Sequence, residues 1–313
     1  MCRLRALEIV TAPPATGAAR PGRSGSRIGR YSILELVGAG SMGEVFRAYD
    51  PRLRREVAIK VMAPRVAVCA KTVARFEREA QAACSLSHPN IVRVYDFSED
   101  CGVPFMVMEL VEGRSLRELL DGPLPTESVV SLGAPIADGL ASAHAHGVVH
   151  RDIKPENILV DARGTPRILD FGLARLGLPP DGVCKGPALD QTGTGMLVGT
   201  AGYIAPEAIE GKSGDARADQ FALGAILCEM ATGVAPFKRR TVEESLLATL
   251  REEPRGLRAL HPEAPWGLGA VVERCLRKDP AQRYESSRAL HQALIALDRR
   301  PRRVGRLATG ARA

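Results

Sequence analysis

Hydrophobic and polar positions alternate through the first ordered third of the chain, the period of a half-buried strand. From Tyr31 to Asp50, YSILELVGAGSMGEVFRAYD reads as an apolar strand, a turn containing Gly38, Gly40 and Gly43, and a second strand resuming at Val45. REVAIKVM follows as a third strand, in which Val57, Ile59 and Val61 share one face while Ala58 and Lys60 share the other. Lys60 is the lone charge of an apolar run; a strand lysine usually points to solvent, but on the Ala58 face it has a course beneath the glycine hairpin. The period then changes. KTVARFEREAQAACSLSH, residues 71–88, is rich in helix formers and sets Phe76, Ala80 and Ala83 at helical spacing, with Glu77 and Glu79 both available to a strand lysine. FMVMELVEGRSL carries a fifth strand into a glycine-containing bend, and residues 126–146 are mainly helical.

The densest polar cluster follows that helix. In VVHRDIKPENILV, residues 148–160, His150, Arg151, Asp152, Lys154, Glu156 and Asn157 crowd a tight loop between apolar flanks. Such density is costly unless the groups pair or act. A short apolar strand, RIL, then runs into Asp170, Phe171 and Gly172 and delivers another carboxylate to a strand end. The glycines of the first hairpin have two readings, a plain turn or a place where backbone N–H groups approach a phosphate. A dinucleotide fingerprint is disfavoured because strand, not helix, follows them.

Composition narrows the class. The chain has 313 residues and 45% hydrophobic content, ample for a buried core, with no apolar run near the ~20 residues that span a bilayer and no apolar centre of a secretory signal at its start. A cytoplasmic location is expected. The seven cysteines lie at least fifteen positions apart, which suggests neither metal-ligand pairs nor a disulfide framework. The formal charge of +7 belongs to the ends: residues 1–30 carry +5 and residues 299–313 carry +6, leaving −4 for residues 31–298. These ends are expected to be disordered, solvated tails. Weak attraction to acidic surfaces is the sharper alternative, but no aromatic residue is interleaved with the arginines, and specific nucleic-acid binding is not expected.

Five motifs in order, GAGSMGEV, VAIK, HRDIKPEN, DFG and APE, resemble the signature set of protein kinases, of the bacterial serine/threonine type. The resemblance covers residues 31–298. It implies an α+β, two-lobed fold, with a small β-rich lobe over residues 31–110 and a larger helical lobe over residues 111–298. It implies transfer of the γ-phosphoryl of ATP to Ser or Thr of protein substrates, with Mg2+, or Mn2+, as the metal. The runner-up is a pseudokinase scaffold or binding module; a kinase of small molecules is disfavoured by GTAGYIAPE, which resembles a protein-substrate platform.

By the same resemblance, Val37, Gly38, Ala39, Gly40, Ser41, Met42, Gly43, Glu44 and Val45 cover the nucleotide. Lys60 meets the α and β phosphates, steadied by Glu79, with Glu77 as the fallback. Asn157 and Asp170 hold the metal ions, Asp152 receives the substrate hydroxyl's proton or orients that hydroxyl, and Lys154 balances phosphoryl charge. Adenine lies between Val45 and Ala58 above and Leu159 below, bonded to backbone at Glu109 and Val111, with Met108 at the back. His150, Asp219 and the pair Glu207 and Arg283 are expected to be structural. Departures from the pattern include Gly133, Pro135 and Gly139 in the helix before the polar loop, where a kink or a weak first half is expected near Pro135. Residues 176–189 are Pro/Gly-rich and contain Cys184, read as a bystander thiol. In QTGTGMLVGT, Thr192 and Thr194 are expected phosphorylation sites whose phosphates Arg151 receives, and Thr200 is expected to bond Asp152 and Lys154. Related kinases also suggest a homodimer through the small lobe.

Overall fold

The computed structural model describes residues 25–40, 43–62, 81–171, 201–212 and 215–298. Among the described residues, nine strands lie in two antiparallel sheets. The first sheet is built from β1 (Arg27–Ile28), β2 (Tyr31–Gly40), β3 (Gly43–Asp50), β4 (Arg55–Met62), β5 (Val94–Asp100) and β6 (Val103–Met108), in the order β1-β2-β3-β4-β6-β5. The expected alternation in β4 is realised. Val57, Ile59 and Val61 pack with Phe46, Ala48 and Phe105 on one face, while Ala58 and Met62 pack with Met106 and Met108 on the other.

Two expectations about this lobe need adjusting. Pairing begins at Arg27, inside the stretch expected to be tail: Ile28 pairs with Tyr31, the Gly29 N–H donates to Asp100 Oδ2 at 2.8 Å, and Arg30 bridges to buried Asp50 at 3.2 Å. Proline and glycine density hid an edge strand of two residues. For that reason FMVMEL supplies the sixth strand of the sheet, not the fifth.

A second sheet, β7 (Gly113–Ser115), β8 (Ile158–Asp161) and β9 (Pro166–Ile168), opens the larger lobe, which is otherwise helical. Its short first helix is α1 (Leu116–Leu119), and its long second helix, α2 (Thr126–Ala145), runs through Pro135 without interruption. The weak first half expected there is absent, because Val129, Val130, Leu132 and Gly133 are buried already. Gly133 and Gly139 supply closeness. A Cβ on Gly133 would come within 2.5 Å of Leu227 Cδ2, and one on Gly139 within 3.0 Å of Ile168 Cδ1.

After α3 (Pro206–Ile209), the helix α4 (Ala216–Thr232) is buried from Ala218 to Ala231, capped by Asp215 at its start and by left-handed Gly233 at its end. Around it lie α5 (Val242–Arg251), α6 (Leu257–Leu260), α7 (Trp266–Cys275) and α8 (Ser287–Asp298), with α7 and α2 packed on α4 and α8 on α2. One core cluster joins all these surfaces.

Glu207 and Arg283 meet inside this lobe. Arg283 Nη1 and Nη2 donate to the two carboxylate oxygens at 2.6 and 2.9 Å, and the remaining guanidinium bonds go to the carbonyls of Arg217, Arg277 and Lys278. The arginine side chain is 0% exposed. Breaking such a pair strands a buried charge, so Arg283→Met is expected to lower stability by about 3–5 kcal/mol. Urea unfolding checks this, and a midpoint equal to the native one would show that the pair is no staple.

Candidate active site

The polar loop between α2 and β8 is held from beneath by one buried carboxylate. Asp219, in the first turn of α4, accepts the backbone N–H of His150 at 2.8 Å and of Arg151 at 2.7 Å, and takes a further bond from His144 Nε2 at 2.8 Å. Burial pushes its carboxyl upward, but the bonds from His144 and the loop outweigh this and hold it below the usual aspartate value. Arg151, whose N–H is so held, has a φ of 68°, a strained conformation for a side chain of its size.

His150 is fully buried and links the loop to the strand after it. Its Nδ1 accepts the Asp152 N–H at 3.2 Å, which leaves Nε2–H to donate to the Leu169 carbonyl at 2.6 Å. The ring also packs edge-on against Phe171, with centroids 4.7 Å apart. The imidazole therefore fixes the entries to both acidic residues, Asp152 and Asp170, as its structural assignment required.

Above this scaffold the candidate residues form two clusters. In one, Lys154 Nζ donates to Asp152 Oδ2 at 2.6 Å, while Asn157 Nδ2 donates to the Asp152 carbonyl at 2.8 Å and to Oδ2 at 3.0 Å. In the other, Lys60 Nζ donates to Asp170 Oδ2 at 2.7 Å, across the two lobes. The clusters are joined through backbone, since the Leu169 N–H donates to the Asn157 carbonyl at 2.9 Å. Lys60 thus has Asp170 as its described partner. Glu79, the expected partner, and Glu77 lie outside the described residues, as do Ser41, Met42, Cys184, Thr192, Thr194 and Thr200.

The hairpin residues end β2 and begin β3, where Ala39 pairs with Glu44, Gly40 with Gly43 and Gly38 with Val45; Val37 stands 59% exposed beside them. Gly43 has a φ of 146°, and a Cβ there would meet the Val61 carbonyl at 1.8 Å, so glycine is obligatory. Val45 and Ala58 sit across from Lys60 and Met108 in the sheet. Val45, Ala58, Met108 and Val111 share one apolar cluster with Met106 and Leu169. Leu159, the expected floor, is half-buried in β8 between Ser115 and Arg167 and lies outside that cluster. The Glu109 N–H bonds the Arg93 carbonyl at 2.9 Å.

One network escaped the sequence reading. Arg117 of α1 donates to Glu156 at 2.8 Å, to Glu229 at 2.7 Å and to Tyr203 Oη at 2.5 Å, and Tyr203 Oη donates to Glu229 at 2.5 Å. Burial disfavours the Arg117 charge, yet the bonds to Glu229 and Glu156 raise its pKa; burial, then Glu229, raise that of Tyr203. Four separate segments contribute one residue each, and no local spacing announces such a meeting.

Against known proteins, the family model described as "Protein kinase domain" matches residues 31–295. The serine/threonine-protein kinase PknD of Mycobacterium tuberculosis strain H37Rv is 40% identical over 277 residues, covering 86% of this chain and 40% of that protein. PrkC of Bacillus subtilis strain 168 is 37% identical over 269 residues, covering 84% and 40%. The chain therefore spans about two fifths of the length of these relatives. The crystal structure of the M. tuberculosis PknI kinase domain superposes with a TM-score of 0.69 at 27% identity, covering 88% of this chain and 98% of that one.

The Asp219 anchor has measurable consequences. An Asp219→Asn change turns one acceptor into an NH2 group facing an N–H, so amide exchange at His150 and Arg151 is expected to rise by about tenfold or more. A depressed carboxyl contributes stability that is present above the unfolded value of about 3.9 and lost as pH falls through the lower folded value. The stability gap between the native chain and this variant should therefore narrow on acidification below about pH 4, and a widening gap would contradict the assignment.

Proposed function

The chain belongs to the protein kinase family, in its bacterial serine/threonine branch, and from that premise we propose that it transfers the γ-phosphoryl of ATP to Ser and Thr hydroxyls of proteins. One observation carries the reading. Two acid–amine pairs, Lys60 with Asp170 and Lys154 with Asp152, stand at opposite ends of a short backbone link through Asn157 and Leu169.

In this reading the nucleotide lies under the Gly38 to Val45 hairpin, with adenine against Val45, Ala58 and Met108. The close approach of Gly43 to the Val61 carbonyl keeps a residue without a side chain at the start of β3. Lys60 leaves Asp170 to meet the α and β phosphates, which frees a carboxylate. The Asn157 amide and the Asp170 carboxylate then offer hard oxygen donors, a set that fits Mg2+ or Mn2+. The metal, when bound, would neutralise phosphate charge. Among the described residues, the side-chain bonds to the Asp152 carboxylate fall on Oδ2, and Oδ1 is the oxygen that would accept the substrate hydroxyl's proton. Lys154 then stands where charge develops on the phosphoryl group.

Regulation extends the proposal. Thr192 and Thr194 are the proposed self-phosphorylated positions, each phosphate adding about −1.5 to −2 charge that Arg151 would receive; Thr200 is proposed to bond Asp152 and Lys154. Self-association through the small lobe is also proposed, supported by exposed Leu36, Val37 and Leu53. Among the described residues no helix is long and apolar enough to cross a membrane.

With labelled ATP and Mg2+, the native chain is expected to label itself or a basic protein substrate on Ser and Thr, and Asp152→Asn should reduce transfer by about 10²-fold or more. No labelling by the native chain would favour a scaffold, and equal labelling by the variant would refute the role given to Asp152. Lys60→Met is expected to abolish transfer with an unchanged circular dichroism spectrum, and phosphoamino acids dominated by phosphotyrosine would overturn the Ser/Thr assignment. Thr192→Ala with Thr194→Ala should remove the rise in activity that follows preincubation with ATP; an undiminished rise would place the switch elsewhere.

A further inference from the structure

A cavity of about 270 Å3 opens between the Ser87–Arg93 loop, the Glu109 end of β6, and β9. Its lining includes Ser87, His88, Arg93, Tyr95, Glu109 and Arg167, and it shares no residue with the apolar cluster of Val45, Ala58 and Met108. One guanidinium, that of Arg167, faces a carboxylate there, and Arg93 lines the same cavity with its own guanidinium on Ser87. Arg167 pairs with Glu109 Oε2, the same oxygen that accepts the Arg93 N–H at 3.3 Å. Arg93 Nη2 donates to Ser87 Oγ, so the Ser87 hydroxyl can donate onward. Both ring nitrogens of His88 are engaged elsewhere, Nδ1 with the Asn90 N–H at 3.1 Å and Nε2 with Asp138 at 3.2 Å. At the margin, the Arg55 guanidinium lies 3.8 Å above the Tyr95 ring.

Two donors in this region are unsatisfied. The Nε–H of Arg167, in the cavity wall, and the Nε–H of Arg55, beside Tyr95, are buried without a hydrogen-bond partner among the described residues. A buried guanidinium N–H left unpaired is costly and needs an explanation. An apolar guest would leave that cost in place. An anion with several oxygens that draws the Arg167 guanidinium into the cavity would give its Nε–H a partner, since planar guanidinium forks match phosphate geometry and Ser87 supplies a neutral donor; Arg55 lies outside the lining.

We propose that this cavity is a second ligand site, taking the phosphate group of a small molecule, and that its occupancy is transmitted to Glu109. The volume falls just below the usual range for small-molecule pockets, which suits inorganic phosphate or a small phosphate ester. A bound dianion draws Arg167 away from Glu109 and leaves that carboxylate with one bond fewer, at the point where the lobes join. The binding claim stands on the cavity alone. Its transmission to nucleotide rests on the proposed adenine contact at Glu109.

The full chain, in phosphate-free chloride buffer, is titrated with inorganic phosphate and separately with glycerol 3-phosphate, by NMR of arginine Nε–H and backbone amide signals. Saturable shifts centred on Ser87, Arg93, Glu109 and Arg167 are expected. Arg167→Gln and, on an exposed side chain that the fold does not need, Arg93→Gln should each weaken binding by about tenfold. Lys60→Met should leave it unchanged. The arm that binds more tightly identifies the ligand as free anion or ester. Shifts that are not saturable, that survive both arginine variants, or that vanish with Lys60→Met would overturn the site. ATP affinity is then measured with and without phosphate. A phosphate effect present in the native chain and absent in Arg167→Gln is expected, whereas the same effect in both would mean competition at the nucleotide site and would refute transmission. Failure of the native chain to bind ATP in plain chloride buffer would count against the kinase reading and leave the phosphate titration to decide the cavity.

Discussion

The proposed active site hangs from the buried carboxylate of Asp219. A charge in a protein interior is tolerable only when hydrogen bonds replace its lost water, and here the replacements are the imidazole of His144 and the backbone N–H groups of His150 and Arg151. The requirement is reciprocal. The acid is satisfied only if the loop adopts this course, and the loop reaches the left-handed turn at Arg151 only because the acid holds it there. From that turn His150 points into the core, where it fixes the Leu169 carbonyl and through it the approach to Asp170. One buried group thus sets the positions of residues far apart in sequence.

The larger lobe makes that anchor rigid. The helix carrying Asp219 is buried along most of its length, and glycines at positions 133 and 139 bring α2 close to it and to β9. In the small lobe, by contrast, the relevant feature is freedom from side chains. Gly43 presses against the Val61 carbonyl, and Lys60 leaves the sheet on the face that also carries Ala58. A stiff base beneath a backbone-lined cover is what positioning a polyanion requires, since phosphoryl transfer depends mainly on placement and charge.

Much of this was legible in the sequence for identifiable reasons. The two faces of β4 could be read because a strand has period two and its neighbours are apolar, and the polar loop because its density contradicted its apolar flanks. The separation of Ala58 and Lys60 from Val57, Ile59 and Val61 is found again in two distinct apolar clusters. Other features depended on distant partners. The strand at Arg27–Ile28 is too short to have a period, Pro135 sits in a helix that tertiary packing keeps whole, and Arg117, Glu156, Tyr203 and Glu229 come from four segments. The described bond of Lys60 to Asp170 is one that local pattern does not encode, while the expected glutamate lies outside the described residues.

The central claim is that the loop held by Asp219 presents Asn157, and through His150 positions Asp170, toward a metal-bound nucleotide. The affinity for ATP, measured as a function of Mg2+ concentration in the native chain and in Asp170→Asn, tests it most directly. The account predicts that Mg2+ tightens ATP binding to the native chain and that this dependence is lost in the variant. An affinity indifferent to Mg2+, or a dependence that survives the loss of the Asp170 carboxylate, would contradict it.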